Sequence, residues 1–166
     1  MHAIGQLMLD VEGKSLTPND QALIRQPEVG GIILFGRNVE SPEQVRTLTD
    51  SIRAIKPNIL IAVDQEGGRV ARFRQGFSPL PAMGQLGELF DHDPINALAL
   101  AFASGYLMAS EVLAVGVDFS FAPVLDLNDI SDVIGDRGFA KNMQDIVPLA
   151  GAFMQGMKKA GMATTG

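Results

Sequence analysis

GGIILFGRNVESPEQVRTLTDSIRAIKPNILIAV, residues 30–63, decides the fold. It opens with a glycine-bounded run, Gly30 to Gly36, that is apolar throughout and of strand length. A strand without polar alternation is one buried on both faces, the habit of parallel sheets. Ser41 and Gln44 follow with the spacing of a capping box, and Val45, Leu48, Ile52 and Ile55 recur on one helical face. ILIAV, residues 59–63, is a second apolar strand. Strand, capped amphipathic helix and strand make a βαβ unit, in which the crossover returns the chain to the same end and the strands run parallel.

The pattern repeats outward from this unit. QLMLDV (6–11) is a short apolar run, and Thr17-Pro18-Asn19-Asp20 starts a helix with Thr17 placed to cap. Asp93-Pro94 starts a long helix running towards Gly116. VDFSFAPVLDL (117–127) supplies a fourth strand and a loop. Ile146, Leu149, Ala150, Phe153 and Met157 share a helical face ahead of Gly161, a C-terminal cap, and MATTG (162–166) begins a fifth strand. Both a doubly wound sheet and a (β/α)8 barrel fit this order. No glycine fingerprint follows the first strand, as a dinucleotide fold would require. A whole barrel takes about 250 residues, so as a barrel this chain holds only about the first half.

Composition narrows the function. The chain has 166 residues, 46% hydrophobic and 19% charged, which is the make-up of one globular domain. A net charge of −6 argues against a nucleic-acid surface, which needs a basic stripe. The absence of cysteine excludes disulfides and thiolate metal sites. The N-terminus lacks the basic and long apolar regions of a secretory signal, and Ile95 to Gly116 is broken by Ser104, Gly105, Ser110 and Glu111. A cytoplasmic protein without a membrane span is the expectation.

In either parallel architecture ligands bind at the carboxyl ends of the strands. Asp10, Arg37-Asn38, Asp64-Gln65-Glu66 and Asp126 stand there. The third crossover is long: roughly 30 residues separate Asp64 from Asp93, against about 2–6 in an ordinary βα loop. It carries Arg69, Arg72 and Arg74, while residues 126–140 add Asp126, Asp129, Asp132, Asp136 and Arg137. Carboxylates beside guanidinium groups suit a polyhydroxylated ligand, since the one accepts from hydroxyls and the other donates in a rigid fork. Plainer roles stand beside this: Asp64 as a turn cap, the three arginines as a solvated run, Arg137 as a structural residue. The acids of 126–136 miss the EF-hand spacing, His2 and His92 form no ligand pattern, and no G-x-S-x-G is present. Residue chemistry thus leads to a polar-ligand site and stops short of a reaction.

GGIILFGRN, VDQEGGRVARFRQGF, FAPVLDL, IGDRGF and GMKKAGMATTG occur in this order. Together they resemble the bacterial β-N-acetylglucosaminidases of glycoside hydrolase family 3, over essentially the whole chain. The resemblance implies a (β/α)8 TIM-barrel domain, with residues 1–166 as its N-terminal part: four βα units and a fifth strand. It implies removal of terminal N-acetylglucosamine from peptidoglycan-derived anhydro-muropeptides by a retaining mechanism in the cytoplasm. The implied substrate is N-acetylglucosamine-anhydro-N-acetylmuramic acid, with or without peptide. No cofactor, metal, nucleic acid or membrane partner is implied, and the full-length enzyme is expected to be a monomer.

Three substrate-binding residues carry over: Asp64 in VDQEGGR, Arg72 in RVAR and Arg137 in GDRGF, all at the terminal sugar. Glu66 and Arg69 are expected to brace the loop, and Arg74 to lie on the surface. In the family a Lys-His pair and a Phe-Pro-Gly-His-Gly loop follow ATTG, and the aspartate nucleophile comes from a later strand. A retaining mechanism needs that nucleophile and an acid/base. Neither is among residues 1–166, so the 166-residue chain alone is expected to be inactive. A non-catalytic sugar-binding half, an inert fragment and a family 3 β-glucosidase are the alternatives.

Overall fold

The computed structural model describes residues 5–129 and 131–165. Among these the strands are Leu7–Leu9 (β1), Val29–Leu34 (β2), Leu60–Val63 (β3), Gln65–Gly67 (β4), Val70–Ala71 (β5) and Phe119–Ser120 (β6). The α-helices are Pro18–Ile24 (α1), Pro42–Ile55 (α2), Met83–Phe90 (α3), Pro94–Ala114 (α4) and Met143–Ala160 (α5). β1, β2, β3 and β6 form one sheet in that order, with every neighbouring pair parallel.

Register explains the uninterrupted apolar strands. Ile32 pairs with Ile61 and Leu34 with Val63, and these four side chains are buried in the same core as Val45, Leu48 and Ile52 of α2. Gly31 pairs with Leu60 and Ile33 with Ala62, so these alternate positions occupy the other face of the sheet. Leu60 on that face is exposed.

Local signals at the helix ends worked as physics requires. Thr17 Oγ1 accepts from the Asp20 amide at 3.1 Å, and Asp20 Oδ2 accepts from the Thr17 amide at 2.9 Å, a complete capping box. Ser41 also caps α2, accepting from the Gln44 amide at 3.2 Å. Its reciprocal half is displaced, because Gln44 Oε1 accepts from Glu40 N at 2.8 Å while Nε2 donates to the carbonyls of Lys14 and Asn38. Gly161 ends α5 with φ of +97°, a conformation that only glycine adopts cheaply.

α4 is, among the described residues, a helix long and apolar enough to cross a membrane by length and composition. Here its Ala97, Ala101, Met108 and Val112 are buried in the common core, and it lies against α3 and α5. The approach to α5 is set by two glycines. A Cβ at Gly105 would stand 2.1 Å from the Phe153 carbonyl oxygen, and one at Gly156 the same 2.1 Å from that of Phe102.

The structure corrects the sequence reading in two places. The long third crossover is not an irregular loop: it folds into an antiparallel hairpin, β4 with β5, and then α3. Alternation of glycine and hydrophobic residues in MGQLGELF hid that helix, since Gly84 and Gly87 lower its propensity while packing favours it. Within 117–127, read as a fourth strand and a loop, the strand is short, only Phe119–Ser120, and the rest is loop. Finally, Met162–Thr165 do not form the expected fifth strand. Thr165 reaches the Ser120 carbonyl with its hydroxyl at 2.9 Å, so a side chain takes an acceptor that a backbone rung would use. Gly166, the last residue of that expected strand, lies outside the described residues.

Candidate functional site

Every candidate stands where a parallel sheet presents its carboxyl ends. Asp64 follows β3 directly and is half-buried. The next residue, Gln65, is the anchor of the hairpin. Its backbone amide donates to Ser120 Oγ at 2.9 Å, and that hydroxyl donates back to the Gln65 carbonyl at 3.1 Å. Its side chain receives the Phe73 amide at 3.0 Å and donates to the Phe73 carbonyl at 2.9 Å, imitating a strand rung. Phe73 and Phe77 then pack with centroids 4.9 Å apart and seal the hairpin into the core. A polar side chain this buried costs free energy unless its hydrogen bonds are made. Here they are made to the segment that carries Arg72.

Arg72 Nη2 consequently meets Asp64 Oδ2 at 3.0 Å. Arg72 Nε is buried without a hydrogen-bond partner. Across the cavity, Glu66 is buried and holds Arg137 with both oxygens: Nε to Oε2 and Nη2 to Oε1, each 2.8 Å. Those hydrogen bonds push the Arg137 pKa up, burial opposes them, and the charges of Glu66, Asp64 and Asp126 add to the rise. The guanidinium is fixed in its cationic form. Arg69 Nη2 donates to the Val133 carbonyl and its Nε lies 4.0 Å from Asp136, so it ties the hairpin to the segment bearing Arg137.

Asp64, Glu66, Asp126 and Arg137 line one cavity of about 560 Å³, with Phe121 and Leu125 as apolar wall. Asp64 and Arg137 therefore share a cavity, and Arg72 joins it through Asp64. A second cavity of about 490 Å³ lies beyond Arg72, bounded by Phe35, Arg69, Arg72 and Arg74. Other strand-end candidates have structural work. Asn38 is fully buried; it donates to the carbonyls of Val11 and Gly13 at 3.0 and 2.8 Å and accepts from the Phe35 amide at 2.8 Å. Arg37 is paired with Asp10. Among the described residues no three His, Asp or Glu side chains gather as a metal-ligand set, and His2 lies outside those residues.

Sequence reasoning missed Phe35, Phe121 and Leu125. The rule that picked Arg37 and Asp126 would have found them, because each sits within a few residues of a strand's carboxyl end. Apolar residues were passed over there, although a sugar ring has apolar faces as well as hydroxyls.

Comparison with known proteins settles the family. Residues 2–166 match the glycosyl hydrolase family 3 N terminal domain. The chain belongs to glycosyl hydrolase family 3. A beta-hexosaminidase of Alkalilimnicola ehrlichii is 55% identical over 165 residues, covering 98% of this chain and 47% of the relative. That of Pseudomonas aeruginosa (strain LESB58) is also 55% identical, with 98% and 48% covered. Among solved structures, NagZ from Neisseria gonorrhoeae in complex with N-trifluoroacetyl-D-glucosamine superposes with a TM-score of 0.90 at 44% identity. The match covers 95% of this chain and 46% of that one. A family 3 beta-N-acetylglucosaminidase from Paenibacillus sp. str. FPU-7 gives a TM-score of 0.88 at 32% identity, covering 98% and 31%.

The chain thus spans about half the length of the curated relatives it matches. The family 3 N-terminal domain is of the TIM-barrel type, and the parallel sheet described above is about half of it. The choice that periodicity left open, doubly wound sheet or barrel, is resolved in favour of the barrel.

Proposed function

We propose that this chain forms the terminal-sugar wall of a retaining β-N-acetylglucosaminidase. In the whole protein the substrate is N-acetylglucosamine joined to anhydro-N-acetylmuramic acid, with or without peptide, and the reaction is part of cytoplasmic peptidoglycan recycling. The observation that carries the reading is the shared cavity of Asp64 and Arg137 in a chain 55% identical to bacterial beta-hexosaminidases. That a gonococcal relative of the same fold was crystallised with an N-acylglucosamine supports it.

The chemistry of the wall follows from its geometry. Asp64 uses one oxygen for Arg72, and its second lone-pair set accepts from sugar hydroxyls. Arg72 fixes the rotamer of Asp64 through a charge-assisted bond. Arg137 is oriented by Glu66 so that its remaining N–H groups donate towards the same ligand. These groups bind and orient. Cleavage with retention requires a nucleophile on one side of the glycosidic bond and an acid on the other, and the family resemblance assigns both to segments that follow the ATTG motif. The 166-residue chain by itself is therefore proposed to bind without hydrolysing.

Titration calorimetry with N-acetylglucosamine tests the binding. Heat that saturates for the native chain and disappears in Asp64→Ala supports the proposal. No heat with either protein identifies an inert chain and sinks it, while a preference for glucose moves the reading to a β-glucosidase. Release of 4-nitrophenol from its N-acetyl-β-glucosaminide by the purified chain would refute the inactivity.

A further inference from the structure

Arg137 lies on a short 3-10 turn, Gly135–Arg137, within a loop. A binding side chain has to be held to within about 0.5 Å, and a loop does not supply that by itself. This loop is closed at its base, where the Asn128 amide donates to the Ala140 carbonyl at 2.8 Å. Its body rests on α3. A Cβ on Gly87 would stand 1.8 Å from the Phe139 carbonyl oxygen. One on Gly84 would stand 3.2 Å from both Cα and the carbonyl oxygen of Asp136, and 3.0 Å from Asn128 Nδ2. Three residues apart, the two glycines share one face of the helix. α3 therefore meets the loop backbone to backbone on both sides of Arg137.

The same stretch of chain also holds the hairpin that carries Glu66. The Gly68 amide donates to the Leu80 carbonyl at 3.0 Å, and a Cβ on Gly67 would stand 2.3 Å from the Pro81 carbonyl oxygen. Residues 80–87 thus span the gap that the Glu66–Arg137 pair bridges, from the backbone next to Glu66 to the backbone next to Arg137. Neither Gly84 nor Gly87 has a left-handed φ, so backbone conformation does not ask for glycine there. Inside a helix glycine costs stability relative to alanine. What the two positions gain is close approach, and at Gly84 the backbone approached is that of Asp136, the neighbour of Arg137.

We infer that Gly84 is a positioning residue for sugar binding, acting through Arg137. The side chain it lacks leaves room for the Asp136 backbone to sit where Glu66 can fork both its oxygens onto Arg137 while Arg137 lines the terminal-sugar cavity. The inference rests on the contact to the terminal sugar proposed above for Arg137.

Gly84→Ala tests it in the 166-residue chain. The added methyl asks its neighbours to yield a few tenths of an ångström. Alanine also raises helix propensity, so the melting temperature should stay close to the native value. The dissociation constant for N-acetylglucosamine, read by titration calorimetry, should rise about tenfold, the scale of one hydrogen bond to a charged group. The Arg137 Nε–H resonance of ¹⁵N-labelled protein, recorded without sugar, should shift. A double-mutant cycle with Arg137→Lys then separates positioning from packing: a residue acting through Arg137 adds little to the loss once the guanidinium is gone. Unchanged sugar affinity in Gly84→Ala overturns the inference and leaves the sugar wall intact. So does a loss that adds in full to that of Arg137→Lys. An unmoved Arg137 resonance overturns it as well, and that reading does not depend on Arg137→Lys folding. Absence of binding by the native chain overturns the proposed function together with the role of Gly84 in it.

Discussion

Glu66 and Arg137 are 71 residues apart in the chain and meet through two parallel 2.8 Å hydrogen bonds, with the carboxylate almost wholly buried. The pair joins the hairpin after β3 to the short turn after β6, so it sets the width of the terminal-sugar cavity. A buried carboxylate with a forked guanidinium partner tolerates neither partner's loss, because the survivor is left charged and desolvated.

Arg137→Ala is therefore expected to destabilise the fold by about 3 kcal/mol, the lower end of the range for breaking a buried pair. The lower end applies because the Arg137 side chain keeps 22% of its exposure. Glu66→Gln should cost less, since its amide oxygen still accepts one of the two bonds. Urea unfolding followed by circular dichroism measures both. Equal, negligible losses would show that water replaces the pair. The raised Arg137 pKa adds stability present below the ordinary arginine value and lost only as pH rises through the higher folded value. Between pH 5 and 9 this contribution should be constant, and a stability change there belongs to other groups.

Gly105 and Gly156 should respond to alanine in the opposite sense from Gly151. A Cβ at either of the first two meets backbone at 2.1 Å, whereas nothing lies within 4 Å of one at Gly151. Gly105→Ala and Gly156→Ala must separate α4 from α5 and lower the melting temperature. Gly151→Ala, within α5, should raise stability by about 0.5–1 kcal/mol through helix propensity. Differential scanning calorimetry of the three variants checks the signs.

Gln65→Met keeps the volume of the side chain and removes its two bonds to Phe73. The buried amide and carbonyl of Phe73 are then unpaired, at about 1–3 kcal/mol for each group left unsatisfied. Hydrogen exchange of the Phe73 amide should accelerate at least tenfold. Unchanged protection would mean that the aromatic packing alone holds the hairpin.

Lys14 holds the Glu40 carboxyl below its ordinary pKa, first by hydrogen bond and then by charge, with a small opposing effect of burial. Lys14→Ala should return the Glu40 midpoint upward in a ¹³C-detected pH titration. The sign follows from linkage: a depressed carboxyl contributes stability above its unfolded pKa, and the contribution is lost as pH falls through the folded value. High salt should produce the same upward movement, as both groups are exposed.

Much of the fold is local and was legible. Thr17, Ser41, Asp93, Asn142 and Gly161 mark helix ends by hydrogen bonds or by a left-handed φ that reach no further than one turn. Of these, Asn142 went unread beside the apolar periodicity that follows it. Continuous apolar strands announced a parallel sheet because a strand buried on both faces has no use for polar alternation. The order of motifs identified the family, and the chain's membership confirms it.

The site was legible only as a set of residues. Sequence placed Asp64, Arg72 and Arg137 at strand ends without indicating which charges neutralise which. Arg72 answers Asp64 and Arg137 answers Glu66, while Arg69 and Arg74 are left to face a second cavity. Those assignments depend on how a hairpin is tethered by Gln65 to Phe73 and Ser120, and on a turn supplied from the far side of α4. By itself the sequence determined the elements, their order and their family, since propensity, capping and periodicity act over a few residues. Only the tertiary structure decided the ion pairs, the α3 helix and the two cavities. Each of these balances burial against pairing among groups that chain folding alone brings together.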